Sequence, residues 1–328
     1  MKRICVVGYG AIGPVHAKAV KNISSAELYA VCDTDPERLI TAEKENPGIK
    51  SFSDFDEALS DVNVDAVHIC TPHHLHFEMI KKALAAGKTV VAEKPVTMTK
   101  PEFSNLLKLK GSEKVCVVFQ NRYNPCIKLL REITKSRKYG EIKEISAEVI
   151  WKRDAAYYNS AFWRGTKALE GGGVLINQAI HTLDHMVSLG GEISVVSASM
   201  SNLSLKGVIE VEDTVSACIK FKSGAKGVLF ATNAAEINHS PVVEVTYENA
   251  CVSYRNEKLY LDDEVICSDN FTDFSGKKCW GSGHEILLDD FYTRGNHLSV
   301  FDVKNTMDAM FAIYESAVET GGKEIKIT

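Results

Sequence analysis

Short apolar runs alternate with amphipathic stretches over the first 120 residues. The runs lack polar alternation, which is typical of strands buried on both faces of a sheet. Their positions are 4–7, 28–32, 66–70, 90–92 and 115–119. Helix-like stretches lie between them, for example 77–86 with Gly87 behind it. Such alternation predicts a parallel sheet with right-handed helical crossovers.

The pattern changes after Tyr123. One helix is predicted over 124–138, ending near Gly140, and a long strand over 141–151. Later segments alternate apolar and polar residues, as strands of an antiparallel sheet with one covered face do. They are 195–201, 214–221, 227–232 and 242–247. An amphipathic helix over 300–317 closes the chain.

These patterns predict two domains, and a length of 328 residues accommodates both. The first, over 1–122, is an α/β domain with a parallel sheet. The second, over 123–328, is an α+β domain with a mostly antiparallel sheet. No repeat or flexible linker separates them.

Composition narrows the class of protein. The net charge is −5, which argues against a nucleic-acid or anionic-membrane surface. No apolar run has the ~18–20 residues of a spanning helix, and the segment after Met1 reads as a strand and not as a signal peptide. Cys5, Cys70, Cys116 and Cys218 are four of nine cysteines and lie in strand-like runs. We expect reduced core cysteines in a cytoplasmic protein.

A glycine-rich turn follows the first strand as Gly8-Tyr9-Gly10-Ala11-Ile12-Gly13. In this context the glycines permit a tight turn, close approach of a pyrophosphate, and close packing of the next helix. Asp33 ends the second strand, twenty residues after Gly13. An acid there binds the adenosine ribose hydroxyls and repels a 2′-phosphate, so NAD is favoured over NADP.

Two further segments carry candidate chemistry. The strand at 89–92 leads into Glu93-Lys94-Pro95 and delivers a lysine to the ligand-binding rim of the sheet. Burial beside an oxidised nicotinamide would lower the pKa of this lysine. Asn177 and His181 follow three glycines and lie four residues apart, as on one helix face. The histidines at 73, 74 and 76 match no ligand spacing, so no metal site is predicted.

The chain resembles the glucose–fructose oxidoreductase/inositol dehydrogenase (GFO/IDH/MocA) family over essentially its whole length. The segments that match are Gly8–Gly13, Asp33, Thr71-Pro72 with His76, Ala86-Gly87-Lys88, Glu93-Lys94-Pro95, Asn121-Arg122-Tyr123-Asn124-Pro125 and Gly171–Asp184. The resemblance implies a Rossmann domain followed by a large, open-faced sheet domain. It also implies that Lys94 and His181 are the catalytic pair and that the Lys94–Pro95 bond is cis.

The resemblance further implies two sets of binding residues. Those for the cofactor are Gly8, Tyr9, Gly10, Ala11, Ile12, Gly13, Asp33, Thr71, Pro72, His73, His76, Glu93, Lys94 and Asn121. Those for the substrate are Lys94, Arg122, Tyr123, Tyr157, Trp163, Arg164, Asn177 and His181.

One departure bears on the substrate. Inositol dehydrogenases of the family carry aspartate where this chain has Asn177, and asparagine can hold neither charge nor a proton. Tyr157-Tyr158 and 162–166 look more like members that act on sugars and nucleotide sugars. We therefore expect an NAD-dependent dehydrogenase for a sugar, sugar acid or nucleotide sugar. The alternatives are an inositol or related polyol as substrate, and a catalytically silent NAD(P)-binding sensor on the same fold.

The second sheet also predicts self-association. Val228 and Phe230 alternate with Leu229 and Ala231, so both faces of that strand carry apolar side chains. An exposed apolar sheet face is an association surface. Family resemblance points the same way, and we expect a homodimer or homotetramer formed through the C-terminal sheet.

Overall fold

A computed structural model describes residues 1–269 and 282–327, which fall into two compact units. The described parts of the first unit are 1–123 and 282–303, and those of the second are 124–269 and 304–327. The sequence pattern predicted a single domain boundary at 122/123, which assigns residues 282–303 to the second domain. In the structure these residues belong to the first unit. Cys279 lies outside the described residues.

The described residues form fifteen strands in two sheets. Their bounds are β1 Lys2–Val7, β2 Ala26–Cys32, β3 Lys50–Phe52, β4 Ala66–Ile69, β5 Thr89–Glu93, β6 Cys116–Val118, β7 Ile142–Ile150, β8 Ile193–Ser201, β9 Thr214–Phe221, β10 Lys226–Thr232, β11 Val242–Tyr247, β12 Cys251–Arg255, β13 Lys258–Leu261, β14 Glu264–Ser268 and β15 Ile325–Lys326.

Ten α-helices accompany the strands within the described ranges. Their bounds are α1 Gly13–Lys21, α2 Pro36–Glu45, α3 Phe55–Ser60, α4 His76–Ala85, α5 Lys100–Leu106, α6 Pro125–Ser136, α7 Ala155–Asn159, α8 Ile180–Gly190, α9 Gly283–Asp289 and α10 Lys304–Tyr314. A 3₁₀ turn covers Gln120–Tyr123, and one π turn covers each of Leu175–Ala179 and Asp290–Arg294.

The first unit contains a six-stranded, all-parallel sheet in the order β3-β2-β1-β4-β5-β6. The strand order reverses between β1 and β4, and ligands of doubly wound sheets bind beyond the carboxyl ends of the strands at such a point. The helices begin where the sequence provides caps. Asp35, Asp54 and Thr99 each accept backbone N–H groups at the start of α2, α3 and α5. The predicted Rossmann domain is confirmed.

The late segment of the first unit packs through α9. This helix lies against α1 and against the 3₁₀ turn Gln120–Tyr123. Leu287 and Leu288 are buried in the same apolar cluster as Ile4 and Val6 of β1. Burial of two leucines, at about 1.5–3 kcal/mol each, stabilises this return of the chain to the first unit.

The second unit contains a nine-stranded sheet in the order β14-β13-β12-β11-β7-β10-β9-β8-β15. Its neighbours are antiparallel except β7 and β10, which run parallel. The predicted large, mostly antiparallel sheet is confirmed. Helices α8 and α10 pack together, with α8 also on β7 and α10 on β8, and they cover one face.

The other face of this sheet is exposed over its middle strands. In β9 and β10 buried and exposed residues alternate strictly over most of their length. Leu229 and Ala231 are fully buried, whereas Val228 is 44% exposed and Phe230 36%. Cys218 is on the exposed face, so its prediction as a core residue is wrong, whereas Cys5, Cys70 and Cys116 are buried. Alternation along a strand sends neighbours to opposite faces, and an apolar neighbourhood in sequence does not reveal which face a residue takes.

One predicted helix differs in detail from the structure, and three strands were not predicted at all. The helix expected over 300–317 is α10, and it ends in a π turn at Glu315–Glu319. Strands β12–β14 were not predicted, because their side chains alternate weakly and β14 is mostly exposed. No helix within the described ranges is long and apolar enough to cross a membrane.

Candidate functional site

The glycine-rich turn links β1 to α1 in the way that a dinucleotide site requires. Gly8 has a φ of +91°, and a Cβ on it would lie 2.8 Å from the carbonyl oxygen of Cys70. A Cβ on Gly13 would lie 2.2 Å from the carbonyl oxygen of Gly8, so only glycine allows α1 this close to the turn. A Cβ on Gly10 would meet only Arg38, at 3.6 Å. The turn therefore leaves space at Gly10 while packing tightly at Gly8 and Gly13.

The start of α1 suits a phosphate group. Ile12 precedes the helix and supplies no side-chain cap, and Ala11 is exposed. Backbone N–H groups at an uncapped helix start bind anions, helped by the helix dipole. Tyr9, in contrast, is buried, and its hydroxyl donates to Glu45 at 2.7 Å and accepts from Asn46 at 2.9 Å. Only the backbone of Tyr9 is therefore placed to contact a cofactor.

Asp33 lies at the end of β2 and is nearly buried. Its Oδ2 accepts the backbone N–H of Tyr9 at 2.6 Å, and its Oδ1 accepts that of Asp35 at 2.9 Å. The guanidinium of Arg38 lies 3.7 Å from Asp33 and 3.4 Å from Asp35. Sequence reasoning missed Arg38, because the first turn of α2 separates it from Asp33 along the chain.

His76 connects the loop after β4 with the loop after β5. Its Nδ1 lies 2.7 Å from the carbonyl oxygen of Pro95, and its Nε2 lies 2.7 Å from that of Thr71. Both neighbours are acceptors, so both contacts are hydrogen bonds only when the ring carries two protons. Burial lowers the pKa of His76, whereas the two carbonyls and Glu93 act to raise it. The Lys94–Pro95 bond is cis, as the resemblance implies.

The remaining residues of the predicted cofactor set differ in exposure. Thr71 and Pro72 are half-buried, His73 is buried, and Asn121 is half-buried in the 3₁₀ turn before α6.

Glu93 was expected to contact the cofactor, and among the residues of that set its placement differs most from the expectation. Its carboxylate is turned into the unit, where Oε1 lies 3.1 Å from Nε2 of His16 and 3.5 Å from Nε2 of His284. Burial alone would raise the pKa of Glu93, but hydrogen bonds and charge from the two histidines hold it well below its usual range. The backbone N–H of Lys94 donates to the other oxygen at 3.2 Å.

The contacts of His16 extend inward to a tyrosine. His16 Nδ1 lies 3.0 Å from Nδ1 of His68, whose Nε2 lies 2.8 Å from the hydroxyl of Tyr292. A carboxylate only accepts, so Nε2 of His16 donates to Glu93, and in the neutral form of His16 its Nδ1 accepts from His68. His68 then donates from Nδ1 and accepts from Tyr292. Burial lowers the pKa of His68 well below its usual range, which favours this neutral form.

His16, Glu93 and His284 also have the donor set of a metal site, with ligand atoms within 4.8 Å of one another. The hydrogen-bond chain includes His16 and Glu93, whereas Nε2 of His284 lies 3.5 Å from the carboxylate. The sequence did not indicate the group, since its members come from α1, β5 and α9.

Lys94 itself is half-buried at the carboxyl end of β5. Arg122 is nearly buried in the 3₁₀ turn, with its guanidinium 5.9 Å from the ring centroid of Phe119. Tyr123 packs at the edge of the apolar cluster of the first unit. The lysine is thus more accessible to a ligand than Arg122, which is nearly buried.

The second unit brings three of the predicted substrate residues together. The guanidinium of Arg164 lies 4.4 Å from the ring centroid of Tyr157 and 5.0 Å from that of Trp163. It also donates to the hydroxyl of Tyr157. Gln178, which sequence reasoning missed, donates to the same hydroxyl at 3.1 Å. Arginine on aromatic rings keeps its planar donors available for a carboxylate or phosphate.

Asn177 and His181 lie where the π turn Leu175–Ala179 passes into α8, and both are half-buried. The expectation that they share a face assumed a regular helix, and a π turn offsets that spacing. Such turns recur at functional sites. Asp184 and His185 of the same helix are buried, and Asp184 accepts from Thr306 at 2.7 Å.

Two of the three glycines before the π turn, Gly172 and Gly173, make close contact with a tyrosine and a buried acid. A Cβ on Gly172 would lie 2.0 Å from the hydroxyl of Tyr314, and one on Gly173 would lie 1.8 Å from the carbonyl oxygen of Glu212. The Glu212 carboxylate accepts the N–H groups of Gly173 and Leu175 at 2.9 and 3.1 Å, and the hydroxyl of Tyr314 at 2.9 Å.

Fold and site define an oxidoreductase class with a dinucleotide-binding unit and a sheet-based second unit. A family model described as "Oxidoreductase family, NAD-binding Rossmann fold" matches residues 2–121, and one for the GFO/IDH/MocA C-terminal domain matches residues 127–253. The chain belongs to the GFO/IDH/MocA family of NAD-binding oxidoreductases.

Relatives include dehydrogenases for several polyols and sugars. Myo-inositol 2-dehydrogenase of Thermotoga maritima is 30% identical over 249 residues, which span 74% of this chain and 72% of that protein. Levoglucosan dehydrogenase of Pseudarthrobacter phenanthrenivorans is 27% identical over 228 residues, spanning 62% of this chain and 58% of that protein. The WlbA dehydrogenase of Bordetella pertussis, solved with NADH and UDP-GlcNAcA, is 27% identical with a TM-score of 0.87, covering 100% of this chain and 98% of that one.

Alanine at Gly13 and alanine at Gly10 should have different effects. Gly13→Ala drives a Cβ into the carbonyl of Gly8, which should cost about 1–3 kcal/mol of unfolding free energy. Gly10→Ala should fold normally but bind NADH more weakly, because its methyl group occupies space that the turn leaves open. Denaturant unfolding and NADH fluorescence titration measure the two effects. Equal loss of stability in both variants would contradict this account of the turn.

Asp33→Ala should weaken NADH binding and narrow its advantage over NADPH. A hydrogen bond to a charged group contributes about 1.5–3 kcal/mol. The change also removes one of the two acids beside Arg38, which leaves that guanidinium more available to a 2′-phosphate. Asp33→Ala should therefore bind NADPH more tightly than the wild-type protein does. This gain should disappear in the double variant Asp33→Ala/Arg38→Ala. Tighter binding of NADPH than NADH by the wild-type protein would refute the role of Asp33.

Proposed function

We propose that the protein transfers a hydride between NAD and a secondary alcohol or ketone of a sugar, sugar acid or nucleotide sugar. The observation that carries the proposal is a half-buried lysine at the carboxyl end of β5, in an NAD-binding Rossmann unit. Bound NAD would accept or supply the hydride at its nicotinamide ring. The chain's own residues bind the substrate and move its hydroxyl proton.

His181 is proposed to accept the hydroxyl proton when the alcohol is oxidised, since an imidazole exchanges protons near neutrality. Lys94 is proposed to donate a hydrogen bond to the same oxygen and to stabilise its developing negative charge. The reverse assignment also fits these residues, with Lys94 as the formal base and His181 as the hydrogen-bond donor to the oxygen. The proposed role of Lys94 is supported by the fixed position of its backbone, because the carboxylate of Glu93 accepts the backbone N–H of Lys94.

The cofactor is proposed to lie along the glycine-rich turn and the neighbouring loops. The backbone at 8–13 would bind the pyrophosphate and Asp33 the adenosine ribose. The loop of Thr71, Pro72 and His73 would line the rest of the site, with Lys94 and Asn121. His76 and Glu93 are proposed to act by positioning these loops, because both side chains are buried and already hydrogen-bonded.

The substrate is proposed to contact the cluster of Tyr157, Trp163 and Arg164. Aromatic faces pack against sugar rings, and the guanidinium suits a carboxylate or phosphate. This chemistry favours a uronate or nucleotide sugar, and the Bordetella pertussis relative was solved with UDP-GlcNAcA. Asn177 would bind a hydroxyl group. Arg122 and Tyr123 are weaker candidates, since Arg122 is nearly buried.

Inositol or a related polyol is the second candidate substrate, and the relative from Thermotoga maritima favours it. A screen of sugars, polyols, uronates and UDP-sugars with NAD and NADP separates these classes by the rate of NADH formation. The reverse reaction is followed by loss of NADH fluorescence with keto-sugars. A protein that binds NADH but turns over none of these compounds would be the silent sensor instead.

Lys94→Ala and His181→Ala should each lower turnover by ~10²-fold or more, the usual scale of general acid–base catalysis. NADH binding should remain mostly intact in both. Lys81→Ala, which removes an exposed lysine on α4, is the control and should retain full activity. Near-normal turnover of either test variant would remove that residue from the proposed role.

We further propose a cytoplasmic homodimer or homotetramer. The eight described cysteines are free thiols, as in a reducing compartment. The exposed face of the second sheet carries Val228 and Phe230, and a second copy of this chain is proposed to cover it.

Light scattering at micromolar concentration should therefore give a multiple of 36.1 kDa. Phe230→Glu should shift the particle toward one chain, because it places a charge on the exposed sheet face. Ile40→Glu changes an exposed apolar residue of α2 in the first unit and should leave the mass unaltered. A stable wild-type particle of 36.1 kDa would refute self-association.

A further inference from the structure

Two arginines and three aromatic rings form a continuous array in the second unit. The guanidinium of Arg153 lies 4.9 Å from the ring centroid of Trp151 and 5.0 Å from that of Tyr157. The guanidinium of Arg164 lies 4.4 Å from the centroid of the same tyrosine and 5.0 Å from that of Trp163. Neither Arg153 nor Trp151 was among the predicted substrate residues. The array is therefore larger than the predicted cluster and contains a second cation.

Arg153 is held through both its backbone and its side chain. It follows β7, and its backbone N–H donates to the carbonyl oxygen of Asn233 at 3.0 Å. Its Nη1 donates to the carbonyl oxygen of Lys152 at 2.6 Å and to Oδ1 of Asn238 at 3.0 Å. These bonds order the side chain before any ligand arrives, which lowers the entropy that binding must cost.

The positive charges of Arg153 and Arg164 have no acid directly beside them. Within the described ranges, no carboxylate oxygen lies within 4.0 Å of either guanidinium. Their hydrogen-bond partners are neutral oxygens. Glu170 is near enough to interact with the charge of Arg164, but its oxygens accept from Gly165 and Asn177. Two half-buried guanidiniums of this kind suit an anionic ligand, because a guanidinium is weakly hydrated and presents a planar set of donors.

Hydrogen bonds connect the array to the π turn that carries Asn177. The hydroxyl of Tyr157, whose ring contacts both guanidiniums, accepts from Nε2 of Gln178 at 3.1 Å. Gln178 belongs to the π turn, and its Oε1 accepts from Nδ2 of Asn233 at 2.9 Å. The carbonyl oxygen of Asn233 is the acceptor for the backbone of Arg153. A ligand on both arginines would therefore lie close to the π turn and the start of α8.

We propose that Arg153 and Arg164 bind the diphosphate group of a nucleotide sugar, one guanidinium to each phosphate. Both contact the ring of Tyr157, so they are separated by no more than those two distances combined. A diphosphate can reach both, because its two charged groups share one bridging oxygen. A uronate has a single carboxylate and would leave one guanidinium without an anion. The place of this subsite in a reaction rests on the proposed function, whereas its affinity for a diphosphate does not.

Isothermal titration calorimetry of the full chain tests the subsite without turnover. The protein is first saturated with NADH, which occupies the dinucleotide site and cannot oxidise an alcohol. UDP-glucose carries its negative charge on two phosphates, whereas UMP carries about −1.5 to −2 on one. Glucuronate offers a carboxylate alone. UDP-glucose should bind about tenfold or more tightly than UMP, since it engages both arginines, and glucuronate should bind more weakly than either.

Arg153→Gln should weaken the binding of UDP-glucose by about tenfold or more, because it removes a charge-assisted contact to one phosphate. UMP can remain on Arg164, so its affinity should change little. The matched control is Arg255→Gln. Arg255 also lies over a tyrosine of the second unit, 4.5 Å from the ring centroid of Tyr260, but it pairs with Asp263 at 3.8 Å. That variant should bind UDP-glucose as the wild-type protein does.

Circular dichroism and NADH binding confirm that each variant is folded. If Arg153→Gln does not fold, Arg153→Lys and Arg164→Gln provide the same comparison. The lysine variant keeps the charge but loses the planar donors, so its loss of affinity should be smaller. For a nucleotide sugar that the substrate screen identifies, Arg153→Gln should raise KM about tenfold and leave kcat mostly unaltered, because the diphosphate is remote from the reacting carbon.

Tighter binding of glucuronate than of UDP-glucose would assign the array to a uronate and overturn the proposal. Equal affinities for UMP and UDP-glucose, an unweakened Arg153→Gln variant, or loss of UDP-glucose binding in the presence of NADH would also overturn it. A site for UDP-glucose that depends on Arg153, in a protein that oxidises no sugar, would uphold the subsite and refute the proposed function. Oxidation of a free sugar without such a site would do the reverse.

Discussion

The carboxylate of Glu93 is the constraint on which the candidate chemistry of the first unit depends. An ionised group this deeply buried is costly unless its oxygens are paired. His16 and His284 pair one oxygen, and the backbone of Lys94 pairs the other. The backbone from which the proposed catalytic lysine projects is therefore fixed by an ion that cannot move without losing its partners. The same carboxylate requires Nε2 of His16 to donate, and the contacts of His16 continue through His68 to Tyr292.

Glu212 is a second buried carboxylate that fixes backbone through hydrogen bonds, in this case in the second unit. Glu212 binds the N–H groups of Gly173 and Leu175, which lie where the π turn begins. The space that it and Tyr314 occupy is the reason that Gly172 and Gly173 cannot carry a Cβ. The last two glycines of the run are thus explained by contacts within the protein. From the sequence alone, the three glycines were only a marker that precedes Asn177 and His181.

Local pattern predicted the main strands, the glycine-rich turn and the position of Lys94, because each of these is encoded within a few consecutive residues. It could not predict the partners of Glu93, since His16, His68 and His284 are separated by tens to hundreds of positions and no spacing rule links them. The same holds for Glu212. Glu170 stood beside a recognised motif, but its burial depends on packing that no short window reveals. The π turn was missed because its extra residue leaves no mark on the apolar spacing.

Glu93 and Glu170 show how surroundings give one residue type two behaviours. Glu93 faces two imidazoles, which hold its pKa well below the usual range despite burial. Glu170 accepts the N–H of Gly165 and the side-chain N–H of Asn177, but burial and the charge of Glu212 raise its pKa to about 7. The low pKa of Glu93 favours its ionised form near neutrality, whereas a pKa of about 7 lets Glu170 change its ionisation within the neutral range.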